Sequence, residues 1–409
     1  MTAPPGAEAV GAPSATGASP GLRGRRLAAF CAPLVAAMAG SVFTTSALGV
    51  LAPYLLPAFE MGRGELGAVI AVGTIGAGLV SPFAGRATDR FGARRSLIVV
   101  FGATAAAFAL FAIARHYAVL VLGGCIAGVA LAGSNPATNA LIVRHLPAGE
   151  RGTVTGVKQS GVHVGTFLGA AGLSVAAAAL GWRWALAVVA ALAGVAIVAS
   201  PWVIPRDRPA ASQPMGSAPT RSRLGEVLAV YAFLLGFANS ATVFVPLYTV
   251  EELDAGPELG GLALSLLGLA AVAGRVVWAR ISDAGGRYSF GLRAAAVGGM
   301  VGYGIMWLAA HWGGWGVLAV GSVVAGATAL SWNSIAMLAV MARAGADRAG
   351  AASGIVMLGF FLGLGAGPPL QGFIIDQVGG YGPVWALAVA FVALAWTLVR
   401  VVDVDRAEA

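Results

Sequence analysis

The sequence predicts an all-α integral membrane protein whose twelve transmembrane helices form two six-helix bundles. Three observations lead to this class. Only 10% of the 409 residues are charged, whereas soluble domains carry roughly 25%. About twelve apolar runs are long enough to cross a bilayer, which takes roughly 20 residues. A charged loop motif and a row of glycines each occur twice, at nearly the same offset.

The apolar runs fall into two groups of six, and a polar connector separates the groups. Tight loops join the spans within each group, which leaves no room for a soluble catalytic domain. The first six spans are predicted at 28–55, 65–86, 96–115, 118–143, 154–180 and 182–204. The second six are predicted at 224–250, 259–281, 290–310, 313–341, 350–375 and 380–402.

The chain therefore divides into five predicted segments. Residues 1–26 are rich in Ala, Pro, Gly and Ser and are predicted to be a disordered cytoplasmic tail. The N-terminal bundle covers 27–204 and the C-terminal bundle covers 224–402. A cytoplasmic linker rich in proline and arginine covers 205–223, and a short cytoplasmic tail covers 403–409.

The arginines predict the orientation. Placing both termini in the cytoplasm puts twenty arginines on the inner side and only Arg63, Arg115 and Arg183 on the outer side. This bias follows the positive-inside rule. The prediction is a multi-pass protein of the cell membrane, with the lipid bilayer as its main surroundings.

The repeated features predict a duplicated six-helix unit. Gly85, Asp89 and Gly92 recur 194 residues later as Ala279, Asp283 and Gly286, and a second set recurs at an offset of 198. A duplicated unit with parallel orientation is typical of transporters. The second set pairs the glycines 156, 161, 165 and 169 with 354, 359, 363 and 367. The rows 161/165/169 and 359/363/367 are predicted to be packing faces, because small residues spaced by four let helices approach closely.

The composition also argues against several functions. The net charge of +8 comes from arginines in short loops beside apolar spans, so nucleic-acid binding is not predicted. The four histidines and two cysteines are scattered, and no metal site or cofactor is predicted. The predicted spans contain no HExxH, no GxSxG and no paired aspartates, so the chain is not predicted to be an enzyme.

The loop between the second and third spans resembles the signature loop of the major facilitator superfamily. It has the pattern Gly-x-x-x-Asp-Arg-x-Gly-x-Arg-Arg over residues 85–95. The resemblance implies the superfamily fold over the whole chain after the tail, and a cytoplasmic gate in which Asp89 bridges the two halves in the outward-open state. Gate residues implied are Gly85, Arg86, Asp89, Arg90, Gly92 and Arg94, with Arg280 and Asp283 in the weaker second copy.

Two departures count against the proton-coupled drug exporters of this superfamily. Those proteins usually have an arginine in the fourth helix where this chain has Gly124, and a Gly-Pro-rich motif in a fifth helix that here lacks proline. The Gly274-Arg275 pair resembles instead the helix-eight arginine of monocarboxylate and oxalate–formate carriers, which contacts the substrate carboxylate. Those carriers often have an acid one turn earlier, where this chain has Ala271.

Ionisable groups inside membrane spans are costly, and they are functional candidates for that reason. Lys158 and His163 lie deep in the fifth span and Arg275 lies deep in the eighth, whereas every acid lies in a tail, a loop or a span end. One deep cation in each half predicts a positive cavity for an anionic substrate. In the alternative, these long side chains reach the inner surface or pair with Glu150 and Asp283.

His163 has two interpretations as well. Its ordinary pKa near 6.5 suits the carriage of a coupling proton, while a lone helical histidine more often bonds a neighbour. Polar residues elsewhere in the spans either line the cavity or join helices at around 1 kcal/mol each. The pathway set is Lys158, Gln159, His163, Arg275, Asn135, Asn239 and Asn333.

Together these observations predict a secondary active transporter that moves a small solute by alternating access. A small organic anion is the favoured substrate, and the protein is expected to act as a monomer. A multidrug or metabolite exporter of the same fold is the first alternative. A membrane sensor without transport is the remote one.

Overall fold

A computed structural model describes residues 24–146, 148–206, 223–283, 286–312, 314–343 and 346–405. Side chains at 82, 148–153, 164, 167, 168, 283, 341, 343 and 346–353 are outside the description. The predicted linker and both predicted tails lie largely outside it too. Asp403 and Asp405 are described. Both contact Ser289 at the start of the ninth predicted span, so this part of the predicted tail packs against the bundle.

The described residues form helices and no strands. The N-terminal half contains α1 Arg25–Val50, α2 Ala52–Phe59, α3 Arg63–Phe91, α4 Ala93–Ile113, α5 Tyr117–His145, α6 Ala148–Leu180 and α7 Trp182–Val203. The C-terminal half contains α8 Arg223–Ser240, a 3₁₀ turn Ala241–Phe244, α9 Val245–Glu251, α10 Pro257–Asp283 and α11 Tyr288–Trp312. It continues with α12 Gly314–Ala327, α13 Trp332–Arg343, α14 Ala346–Val378 and α15 Gly382–Val401.

The prediction of an all-α membrane fold is confirmed. Within the described ranges, eleven helical segments are long and apolar enough to cross a membrane, against twelve predicted spans. The fifth predicted span corresponds to α6, a helix of 33 residues, of which the described apolar part counted is Gly169–Leu180. The first, seventh and tenth predicted spans are each divided. A turn at 328–331 separates α12 from α13 in the tenth.

The internal repeat is visible in the packing of the halves. In the N-terminal half the glycine row of α6 faces α1, and a Cβ at Gly165 would lie 2.6 Å from the carbonyl oxygen of Ala39. In the C-terminal half the matching row of α14 faces α8, where Gly363 meets the backbone of Phe233. Small residues let membrane helices approach closely. The predicted packing role of both rows is therefore confirmed.

The two copies of the loop motif both contain a glycine with positive φ. Gly92 between α3 and α4 has φ +94°, and Gly286 between α10 and α11 has φ +59°. Positive φ is readily available only to glycine. A glycine therefore occupies the corresponding place in both copies of the motif.

Among the described residues, the closest contacts between α3 and α14 lie at one end of the bundle. Along α3, a Cβ at Gly67 would lie 2.5 Å from the backbone nitrogen of Pro369 on α14. At Gly78 the nearest atom of Phe361 is 3.7 Å away, and at Gly85 no described atom lies within 4 Å. We call these the Arg63 end and the 85–95 end, after the residues at the two ends of α3.

Candidate functional site

Lys158 lies in α6 and is fully buried, with 0% of its surface exposed. Its Nζ donates hydrogen bonds to Asn135 Oδ1 at 3.2 Å, Thr138 Oγ1 at 3.0 Å and Asn139 Oδ1 at 2.5 Å. All three acceptors belong to α5, which continues past Pro136 as one helix. We call these three acceptors the Lys158 cradle.

The cradle uses the whole donor capacity of the lysine, because an ammonium group has three hydrogens. Among the described residues its partners are neutral oxygens, so the charge is solvated by dipoles. The fully buried position differs from the predicted alternative in which the side chain reaches the inner surface. In this conformation the group joins α5 to α6 and has no hydrogen left for another ligand.

Arg275 lies in α10, in the other half, and its surroundings are different. Its side chain is partly buried, and its Nε is buried without a hydrogen-bond partner among the described residues. The backbone beneath it is held firmly, because Ser334 Oγ donates to the Arg275 carbonyl oxygen at 3.3 Å. Next to it, Gly274 packs directly on the backbone of Ala327. The structure thus combines a fixed helix position with an unused cationic donor.

His163 lies in α6, is 5% exposed, and its Nε2 is also buried without a described partner. It belongs to the same layer as Arg275. The two helices run antiparallel and touch where Gly261 meets Ser174. At 1.5 Å per residue, His163 lies roughly 17 Å and Arg275 roughly 21 Å from that contact.

The turn at 328–331, which divides the tenth predicted span, lies beside this layer. Trp278 Nε1 donates to the freed carbonyl oxygen of Ala327 at 2.9 Å, and Asn239 Nδ2 donates to Ala329 O at 3.4 Å. Backbone breaks at membrane depth are tolerated where neighbours satisfy the freed groups. Asn239 also accepts a bond from Tyr303 at 2.6 Å, so both of its polar atoms have protein partners.

The remaining predicted pathway residues are spread over the same region. Gln159, beside Lys158 in the chain, is partly buried. Asn333 at the start of α13 is partly buried, and its one donor contact with a described residue is to the weak acceptor Met357 Sδ, at 3.6 Å. Asn135 is occupied by Lys158. The structure therefore brings His163 and Arg275 into one layer with unused polar atoms, while Lys158, Asn135 and Asn239 bond within their own halves.

The predicted gate residues lie at the 85–95 end, and four of the eight are exposed. Asp89 is exposed and has no ion pair with another described residue. Arg94 donates to Pro201 O of α7 at 2.9 Å, a contact within one half. Arg86 and Arg90 lie over the rings of Phe83 and Phe91, and Arg280 is exposed. No described atom lies within 4 Å of a Cβ at Gly85, Gly92 forms the turn, and the side chain of Asp283 lies outside the described residues.

At the opposite end one arginine connects the two halves. Arg63, the first residue of α3, donates to Glu251 Oε2 at 2.6 Å, Asp376 Oδ1 at 3.1 Å and the Tyr381 hydroxyl at 3.3 Å. The Tyr381 hydroxyl donates in turn to Glu251 at 2.6 Å. We call these four residues the Arg63 network.

Tyr381 remains a donor in this network. Burial, with the adjacent Glu251 carboxylate adding to it, raises the pKa of the Tyr381 hydroxyl well above its usual range. The group therefore stays protonated at physiological pH. It bridges Arg63 and Glu251 as a neutral side chain.

Sequence reasoning identified neither the Arg63 network nor the complete cradle. Arg63 counted only as one of three arginines on the outer side, and Thr138 was not singled out. A signal was present, because an arginine on the side that is poor in arginine is unusual, and Glu251 and Asp376 fall on that same side. The pairing itself depends on how α3, α9 and α14 meet. Among the described residues, no cluster of His, Cys, Asp and Glu suited to a metal is present.

Comparison with known proteins adds a family and a distant relative. A family model described as Major Facilitator Superfamily matches residues 34–291, which is more than half of the chain. The chain is also similar to a protein named gallate transporter from Pseudomonas putida, with 25% identity over 127 residues. That alignment covers 31% of this chain and 28% of the relative. The similarity thus extends over less than a third of either protein.

Proposed function

The chain belongs to the major facilitator superfamily of membrane transporters, and we propose that it carries small organic anions across the cell membrane by alternating access. Membership of this superfamily and the apolar helices identify a multi-pass membrane transport protein rather than an enzyme. The finer statements about substrate, mechanism and orientation are the proposal.

The observation that carries the proposal is the unused Nε of Arg275, held at a fixed helix position at about the same depth as His163. A buried cationic donor without a partner is costly, and a substrate anion would supply the missing partner. A guanidinium group offers two parallel hydrogens to a carboxylate. The related gallate transporter is named for a carboxylate, which agrees with this substrate class.

The structure explains why this chain lacks the fourth-helix arginine that the exporter alternative would lead us to expect. At Gly124, where drug exporters of this superfamily usually have an arginine, a Cβ would lie 2.7 Å from the carbonyl oxygen of Val69 on α3. Helices α3 and α5 cross too closely there for a side chain. The position therefore serves packing, and the anion proposal is preferred.

Alternating access is supported by the unequal ends of the bundle. The described residues of the two halves meet at the Arg63 end, whereas no described atom lies within 4 Å of a Cβ at Gly85. If the termini are cytoplasmic, as the arginines predict, this conformation is open to the inside. The exposed, unpaired Asp89 agrees with a gate that engages only in the outward-open state. Its role as the latch stays a prediction.

The proposal is tested by uptake into proteoliposomes with two probes of matched shape, benzoate and neutral benzamide, together with gallate. We expect saturable uptake of at least one carboxylate and none of benzamide. Arg275→Gln should lower carboxylate uptake by at least about 100-fold, the scale of a lost charged hydrogen-bond pair. Arg400→Gln, an exposed arginine at the end of α15, is the matched control and should transport normally. Equal uptake of benzamide, or normal uptake in Arg275→Gln, would overturn the proposal.

A further inference from the structure

One feature of the molecule lies outside the substrate layer and outside the signature loop. The Arg63 network closes the end of the bundle opposite residues 85–95, and no motif of the sequence pointed to it. We propose that Arg63 is the latch of this second end, holding the halves together here and releasing them when this end opens. This inference rests on alternating access but not on the identity of the substrate.

The first support is the distribution of partners. Arg63 belongs to the N-terminal half, and each of its three described side-chain partners belongs to the C-terminal half. Glu251 ends α9, Asp376 lies near the end of α14, and Tyr381 lies in the loop before α15. A single side chain thus contacts three separate elements across the boundary between the halves.

The second support is that the latch uses the whole guanidinium fork. Nε, Nη1 and Nη2 each donate to a different residue. The adjacent backbone contributes as well, since Gly64 N donates to Asp376 Oδ2 at 3.0 Å. Networks of this kind stabilise more than isolated surface ion pairs, which contribute little. The partners are only 24–33% exposed, so solvent screens them incompletely.

The third support is the packing immediately below the network. Gly64 on α3 lies against Phe373 on α14, where a Cβ would be 3.2 Å from the backbone nitrogen. Gly372 meets the backbone of Arg63 itself. The helices cross so closely here that opening this end must separate Arg63 from Asp376. Breaking these bonds is therefore part of the conformational change and not a side effect of it.

The chain offers a matched control in Arg183. This arginine lies at the same end, at the start of α7, and also makes several contacts. It donates to Ala112 O at 3.0 Å and to Ala114 O at 2.6 Å, and its guanidinium lies 4.2 Å from the centre of the Trp182 ring. All of these partners belong to its own half. Removing its charge should not change how the halves meet.

The test is a distance measurement between two spin labels on purified protein in lipid nanodiscs. Cysteines replace the exposed Ala58 on α2 and the exposed Gln377 on α14, one in each half at this end. The native Cys31 and Cys125 are changed to alanine in every variant. Double electron–electron resonance then reports the fractions with a short and with a long separation, without any substrate.

We expect Arg63→Gln to raise the ratio of long to short separations by at least about fivefold, the lower end of usual coupling between states. Glu251→Gln should shift it in the same direction by a smaller factor, because Asp376 and Tyr381 remain. Arg183→Gln should match the parent. If both Arg63→Gln and Glu251→Gln keep the parent distribution of distances, Arg63 does not hold the halves together at this end. If Arg63→Gln does not fold, the Glu251→Gln distribution decides alone.

Discussion

The two halves each carry one deep cation, and the structure treats the two cations in opposite ways. Lys158 is fully buried and donates three hydrogen bonds to the cradle on the neighbouring helix. Arg275 is partly buried and has a buried Nε with no described partner. A satisfied buried cation stabilises its own half, whereas an unsatisfied one destabilises until something binds. The comparison teaches that charge and depth alone do not identify a ligand-binding residue.

The largest expected contrast between the two cations is in stability. Lys158→Met removes three hydrogen bonds and leaves three oxygens without their donor, which should lower the free energy of unfolding by about 2–3 kcal/mol. Arg275→Met removes an unsatisfied cation and should leave stability unchanged or raise it. The melting temperatures of both variants in the same detergent measure this difference. An equal fall in melting temperature in the two variants would mean that Lys158 and Arg275 contribute equally to stability, which would contradict the contrast drawn here.

A smaller effect should show whether the forked geometry of the guanidinium group matters in addition to its positive charge. Arg275→Lys keeps the positive charge but replaces the fork with a point charge. We expect carboxylate affinity to fall by about tenfold, a difference of about 1.4 kcal/mol, with stability unchanged. Competition binding against benzoate measures it. If Lys is as good as Arg at this position, the fork of Arg275 does not bind the carboxylate.

The smallest expected effect concerns a single acceptor of the cradle. Thr138→Val preserves shape but removes one acceptor of the ammonium, at a cost of about 1 kcal/mol. Thr104→Val on α4 is the control, because that buried hydroxyl bonds only the carbonyl oxygen of Val100 one turn back. Thermal unfolding of both variants makes the comparison. A loss no larger than that of the control would show that Lys158 needs only its two asparagines.

Several parts of the fold could be predicted because they follow from local chemistry. Apolar runs of helix length predicted the membrane segments, since a polar backbone in lipid must satisfy its own hydrogen bonds. Glycines at matching offsets predicted the packing faces of α6 and α14, because only the smallest residues allow such close approach. The turn at 328–331 was not predicted. Its sequence is as apolar as a continuous span, and the break is stabilised by Trp278 and Asn239 from other helices.

The candidate site was predicted only in part, for the same reason. Lys158, His163 and Arg275 stood out because ionisable residues are rare inside membrane spans. The sequence did not distinguish them further, since the partners of Lys158 lie about twenty positions earlier in the chain. Arg63 was missed because an arginine at the start of a helix is unremarkable until Glu251 and Asp376, far along the chain, are brought beside it.

By itself, the sequence determined that this chain is a duplicated helical membrane protein with a signature loop in each half and three deep cationic or titratable side chains. These features depend on composition, periodicity and short spacing, which local physics constrains. Only the tertiary structure decided which cation is satisfied, which end of the bundle is closed and that Arg63 connects the halves. Those properties depend on which donors and acceptors distant helices bring within about 3 Å of each other, and no local pattern encodes that distance.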